Sequence, residues 1–177
     1  MEIKGYKAFN KDRTNRYGKR FEEHTIYQVE GPPSFGNKGH GIHFCKRLED
    51  TLRYVPADEE EVSIAEITSL GSVAQSFDDY YGYYDLYSGN KVRIDRFLPR
   101  EEIINMFLEL PTPRVKRFLQ TFLLTEEEIK LFQARFKGTD EIELALAYYQ
   151  EKDKEAYTKR NEQILIKTRK EYYDRNN

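Results

Sequence analysis

The residues best suited to chemistry sit in one short block, Gly39-His40-Gly41-Ile42-His43-Phe44-Cys45. A glycine-rich turn leads there into an apolar run that carries an imidazole. His43 can stack on a planar ligand, hydrogen-bond or move a proton. It is equally at home as a satisfied packing residue. His40 lies in the glycine-rich turn and reads as exposed. Cys45, the single cysteine, reads as a small buried hydrophobe rather than a nucleophile. The three histidines, His24, His40 and His43, show no ligand spacing such as H-E-x-x-H, so no metal is expected. The first twenty residues hold seven basic side chains and two acidic ones, Glu2 and Asp12. That density suits a phosphate or nucleic-acid patch, although a solvated face is the commoner explanation.

A second unusual stretch runs from Asp78 to Tyr87, with five tyrosines and three aspartates in ten residues. Tyrosine offers wide contact area at low side-chain entropy, which suits a binding loop. The alternative is a Tyr-rich hairpin packing on its own sheet.

The elements that must position these residues follow from pattern. Ile3–Phe9 and Thr25–Val29 suit strands. The turn-rich segment 30–39 is a loop. Gly41–Cys45 is a short strand, and Leu48, Leu52 and Val55 share one face of a helix that Pro56 stops. Residues 61–70 and 91–97 alternate as strands do, with Val92, Ile94 and Arg96 on one side. From Pro99 the pattern turns helical. Ile103, Ile104, Phe107 and Leu108 form one stripe, and Val115, Phe118, Leu119 and Phe122 another. Thr125-Glu126-Glu127-Glu128 is a capping box, and Gly138 suits a helix end. Thr139 or Asp140 opens a last helix whose charged second half is either solvated or partner-binding.

Composition sets outer bounds. Residues 1–98 hold 14 basic and 16 acidic side chains, and the chain's formal charge is −2. That balance argues against a generally basic nucleic-acid binder, though not against a local patch. No run of about 18 apolar residues predicts a membrane span. The N-terminus lacks the apolar core of a secretory signal, so a cytoplasmic protein is expected.

The G-H-G-I-H-F-C block, followed by a helix with Leu48, Thr51 and Tyr54, resembles the central signature of ADP-ribosyltransferases of the poly(ADP-ribose) polymerase type. In that family the pattern is roughly G-x-G-I-Y-F-A, then a helix ending in Tyr. The opening G-Y-K-A-F, the strand E-V-S-I-A-E-I and the segment Ser88–Asp95 stand in the family's order. The same block also looks like one found in a group of short bacterial and phage proteins. The resemblance covers about residues 3–98.

It implies an α+β fold with an ADP-ribosyltransferase-like split β-sheet core over residues 1–98. The helical pattern that follows has no counterpart in that family and is expected to form a helical extension over 99–177 packed on the core. It also implies an NAD cleft. There His43 stands for the stacking tyrosine, Lys7 meets a phosphate, and Tyr6, Gly41 and Tyr54 line the cofactor. Tyr81 and Tyr84 fall in the loop that contacts the acceptor. The chain departs from the pattern at three points. The first strand has no His-Gly pair, His43 replaces Tyr, and the catalytic glutamate's place falls on Asn90 or its neighbours. The expectation is therefore an NAD- or nucleotide-binding protein, with ADP-ribosyl transfer or NAD cleavage resting on His43, Asn90 and Lys7. The alternative is a non-enzymatic protein-interaction module with a vestigial cleft. A phosphotransferase using Lys7 with Arg93 or Arg53 is a third class.

Overall fold

The alternating segments form strands and the stripe-bearing ones form helices. The computed structural model describes residues 2–35, 39–52, 62–78, 84–119 and 122–151. Its strands are β1 (Lys4–Phe9), β2 (Thr25–Gln28), β3 (Ile42–Cys45), β4 (Ser63–Ser69), β5 (Val73–Asp78), β6 (Tyr84–Gly89) and β7 (Lys91–Phe97). Its helices are α1 (Leu48–Thr51), α2 (Arg100–Leu108), α3 (Thr112–Leu119), α4 (Glu126–Arg135) and α5 (Asp140–Glu151). The fold is thus mixed α+β. The strands make one antiparallel sheet in the order β2-β7-β4-β1-β3-β6-β5. No helix among the described residues is long and apolar enough to cross a membrane.

The sheet is held unevenly. β1 shares a single register pair with β3, Tyr6 opposite Cys45. On its other side it shares six with β4. The two halves, β2-β7-β4-β1 and β3-β6-β5, therefore meet at one point and part beyond it. Gly5 permits the meeting: a Cβ there would lie 2.5 Å from the Cys45 carbonyl oxygen. A second constraint closes the sheet at one end. β6 passes into β7 through Asn90 alone, although the two strands belong to different halves. β4 passes into β5 through residues 70–72 in the same way. The corners are stitched by Asn90 N–H to Ser72 O (3.1 Å) and Leu70 N–H to Lys91 O (2.8 Å).

Such crossings require the sheet to fold over, so that inner faces from both halves share a core. Ala65, Ile67, Val92 and Ile94 come from one half, and Ile42, Phe44 and Tyr87 from the other. Phe9 and Phe21 complete this cluster. The outer face of β1 and β4 packs against the helices. Ile64 joins Ile103, Phe107, Val115, Phe118, Phe132 and Ile142 in a second core. Phe107 and Phe118 stack at 3.5 Å between centroids.

Several local expectations are corrected. Pro99 has an extended ψ of 145° and is the N-cap of α2 rather than its first turn. Residues 78–87 are not one loop: Asp78 ends β5, and Tyr84–Tyr87 belong to β6, which pairs antiparallel with β5. Their register supports the hairpin alternative, with residues 79–83 outside the described set. Arg96 does not share a face with Val92 and Ile94. A β-bulge between Glu66 and Ile67 in the β4–β7 pairing shifts the register and turns Arg96 outward. There it bonds Glu66 (2.7 Å) and Glu102 (2.6 Å). The capping box of Thr125 and Glu128 is present, and Gly138 takes φ 83° just past α4.

One join between core and helices is ionic. Glu49 and Asp50 on α1 are fully buried, which carboxylates tolerate only when paired. Glu49 bonds Arg114 of α3, and Asp50 Oδ1 accepts from Arg117 at 2.8 Å. Asp50 Oδ2 has no partner among the described residues. Burial pushes its carboxyl up to about 7, against the pull of Arg117. A carboxyl raised on folding contributes most stability below its unfolded value and loses that contribution as pH rises through the folded one.

Two outcomes follow. Gly5→Ala should destabilise the fold by about 1–3 kcal/mol, because the new methyl meets backbone rather than a movable side chain; chemical denaturation reads this directly. Asp50→Asn should flatten the fall in stability between pH 4 and pH 8, by up to about 4 kcal/mol across that range, measured as the difference from the unaltered chain.

Candidate binding site where the first and third strands part

Beyond the Tyr6–Cys45 pair, β3 loses its backbone partner on the β1 side, and its carbonyls need another donor. Lys7 supplies one. Its ammonium donates to the His43 carbonyl at 2.8 Å and lies 5.6 Å from the Phe9 ring centroid. No carboxylate among the described residues pairs with it. Burial pulls this ammonium down to about 8, and the Arg16 charge pushes the same way. Lys7 is thus a partly desolvated cation still mostly protonated at neutral pH.

The His43 ring is half-buried and sits 5.2 Å from the Phe35 ring, tilted by 38°. Burial pulls it down to about 4, helped by Lys7 and Arg16 and opposed by a hydrogen bond to the Ser34 backbone. His43 is therefore a neutral imidazole at physiological pH, able to stack and hydrogen-bond but carrying no charge. Segment 33–35 stays in place through backbone bonds between Ser34 and His40 (2.9 and 3.1 Å). Gly41 makes the turn into β3 at φ 111°, where a Cβ would meet the Ser88 side chain. Ser88 Oγ in turn donates to the His40 carbonyl at 2.7 Å.

Lys7 and His43 are thus brought into direct contact. Gly41 stands two residues before His43, at the turn into β3. The register Ser88↔His43 and Gly89↔Ile42 sets Asn90 at that same end of β6. The Asn90 Nδ2 donates to the Gly31 carbonyl at 3.5 Å, and its Oδ1 is buried without a partner among the described residues. Tyr84 stands at the opposite end of β6, paired with Asp78 and past the last β3 contact. Tyr54 and Tyr81 lie outside the described residues.

Tyr6 is not with Lys7. Neighbours on a strand face opposite ways, and Tyr6 opens onto the helical side. It lines a cleft of about 540 Å³ with Leu48, Glu49, Glu102, Met106 and Arg114. Burial raises its phenol, and Glu66 adds to this. The carboxylates nearest by are engaged: Glu66 and Glu102 by Arg96, Glu49 by Arg114.

One neighbour of His43, Phe35, was absent from the expected set, because it sits in a turn-rich loop with no periodicity to mark it. Arg16 acts on Lys7 and His43 through its charge alone and makes its contacts with Tyr17. Among the described residues no group of His, Cys, Asp or Glu side chains could hold a metal ion.

The site is therefore a cation beside a neutral imidazole where two half-sheets part, in an antiparallel α+β chain. The chain belongs to the DUF7666 family, a domain of unknown function, whose model matches residues 3–102. No curated protein and no solved structure matches it.

The charge state of Lys7 carries a pH signature. Protonated below about 8, it attracts anions; above that it is a neutral amine. Affinity for pyrophosphate, read by calorimetry, should hold from pH 6 to 7 and fall as pH rises through 8 to 9. Lys7→Met should remove that dependence and most of the binding.

Proposed function

We propose that the protein binds an ADP-ribose-containing nucleotide, NAD being the leading candidate, in the opening between β1 and β3. The observation that carries this is the Lys7 ammonium, which lacks a carboxylate partner among the described residues and sits where the two half-sheets part. A cation so placed suits the pyrophosphate. The neutral His43 ring, beside Phe35, suits a planar base. The resemblance of the G-H-G-I-H-F-C block to ADP-ribosyltransferases supports the same ligand.

Transfer chemistry is a further step. Cleaving the nicotinamide bond builds positive charge on the ribose, which a carboxylate stabilises. The corresponding position here is Asn90, whose amide is neutral and leans on Gly31. Binding is therefore the function the geometry supports best, and any ADP-ribosyl transfer or NAD cleavage would run without that carboxylate.

Thermal unfolding with NAD, ADP-ribose and nicotinamide tests the reading. A ligand at a hundredfold excess over Kd should add about 2.7 kcal/mol of stability. NAD and ADP-ribose should both raise Tm, and Lys7→Met and His43→Ala should each abolish the rise. A Tm indifferent to all three ligands would sink the proposal. Release of free nicotinamide from NAD would separate an enzyme from a binder.

A further inference from the structure

The formal charge of −2 conceals a concentrated patch. Residues 10–20 carry five basic side chains, Lys11, Arg13, Arg16, Lys19 and Arg20, against one acid, Asp12. That acid is engaged locally: Asp12 Oδ1 accepts from the Thr14 amide (3.1 Å) and hydroxyl (2.6 Å). Arg20 pairs with Glu22. Arg13, Arg16 and Lys19 lie over aromatic rings instead of acids. Arg13 is 4.4 Å from the Phe97 ring centroid, Arg16 4.7 Å from Tyr17, and Lys19 5.0 Å from Tyr27. None of these three has a carboxylate partner among the described residues. Their positions are set by ring faces, and their charges stay uncompensated.

The loop is also built. Asn15 Oδ1 accepts from the amides of Tyr17 and Lys19, both at 3.0 Å. Asn15 N–H donates to Lys19 O, and Gly18 N–H to Asn15 O, each at 2.9 Å. Arg13 and Gly18 take φ values of 65° and 80° to allow the turns. At the tip Tyr17 is 76% exposed, the largest exposure among the large hydrophobic side chains described. A folded loop that holds an aromatic ring out in water, with Arg16 against that ring and Arg13 and Lys19 on the same short loop, has the two parts of a nucleic-acid contact. Cations take phosphates, and a ring stacks on a base.

We propose that residues 10–20 bind single-stranded nucleic acid, with Tyr17 stacking on a base and Arg13, Arg16 and Lys19 meeting phosphates. A single strand fits better than a duplex, because stacking on Tyr17 needs an unpaired base. An anionic membrane fits less well, because the tip offers one phenol and no apolar cluster. The proposal goes beyond nucleotide binding in the opening and does not depend on it.

The test is fluorescence anisotropy of a labelled single-stranded DNA or RNA of about 12 nucleotides, over roughly 50–200 mM salt. The expected result is saturable binding that weakens with salt. Tyr17→Ala should weaken it about five- to hundredfold, and Tyr17→Phe should retain it. Arg16→Gln with Lys19→Gln should lower the slope of log K against log salt by about 1.4. Thermal melts of each variant confirm the fold, and Tyr17→Phe keeps the question open to refutation if a charge variant fails to fold. No binding at low salt would overturn the proposal. So would binding that duplex DNA, heparin and anionic vesicles match and that Tyr17→Ala leaves unchanged. Loss of ADP-ribose binding in Lys7→Met with oligonucleotide binding intact would separate the two sites.

Discussion

Everything in this chain hangs on a contact one residue pair wide. β1 and β3 meet only at Tyr6 and Cys45, with Gly5 pressed against the Cys45 carbonyl. Had the pairing continued, the His43 carbonyl would take a β1 amide, as carbonyls inside a ladder do. Because it stops, a side chain must serve instead, and the nearest with a long reach is Lys7. The break in the ladder thus both parts the strands and places a cation between them. Asn90 and residues 70–72 fix the other end, where the halves are tied covalently. The gap is therefore a property of the chain path, not of a loop that closes over it.

The two faces of β1 divide the polar groups into different tasks. On the helical face the charges neutralise one another: Arg96 joins Glu66 and Glu102, and Arg114 joins Glu49. Such exposed or half-exposed pairs contribute little each, and a buried pair is costly to break rather than strongly stabilising. Elsewhere Lys7 and the loop cations Arg13, Arg16 and Lys19 have aromatic rings for neighbours and no carboxylate partner among the described residues. Neutralised charge holds elements together, whereas uncompensated charge remains available to something outside the chain.

Much of this was legible in the sequence, and the rest was not for definable reasons. Strict alternation marks β7, and the Thr125–Glu128 spacing marks the start of α4, because both signals are local. β6 escapes because its tyrosines and Asp85 look like part of a loop, and β5 escapes because VAQSFD has no strict alternation; their pairing with each other, and that of β6 with the distant β3, makes them strands. The face of Arg96 follows from a bulge, which inserts one residue into the count without any local mark. At the site, Lys7 and His43 were visible as residue types, but their contact spans 36 positions. Phe35 joins them only through the fold. The net charge of −2 describes the whole chain and says nothing about residues 10–20, because an average cannot locate a patch.

The ionic join of α1 to α3 has a consequence for modularity. The family segment ends at residue 102, yet Glu49 and Asp50 within it find their arginines at 114 and 117, outside it. The outer face of β1 and β4 likewise finds its cover in α3, α4 and α5. The matched segment of this chain therefore depends on residues beyond 102 for the partners of its buried carboxylates and for the cover of one sheet face. In this chain, recombination at the segment's edge would expose a bare sheet face and strand two carboxylates, which makes that boundary a seam in the sequence but not in the solid.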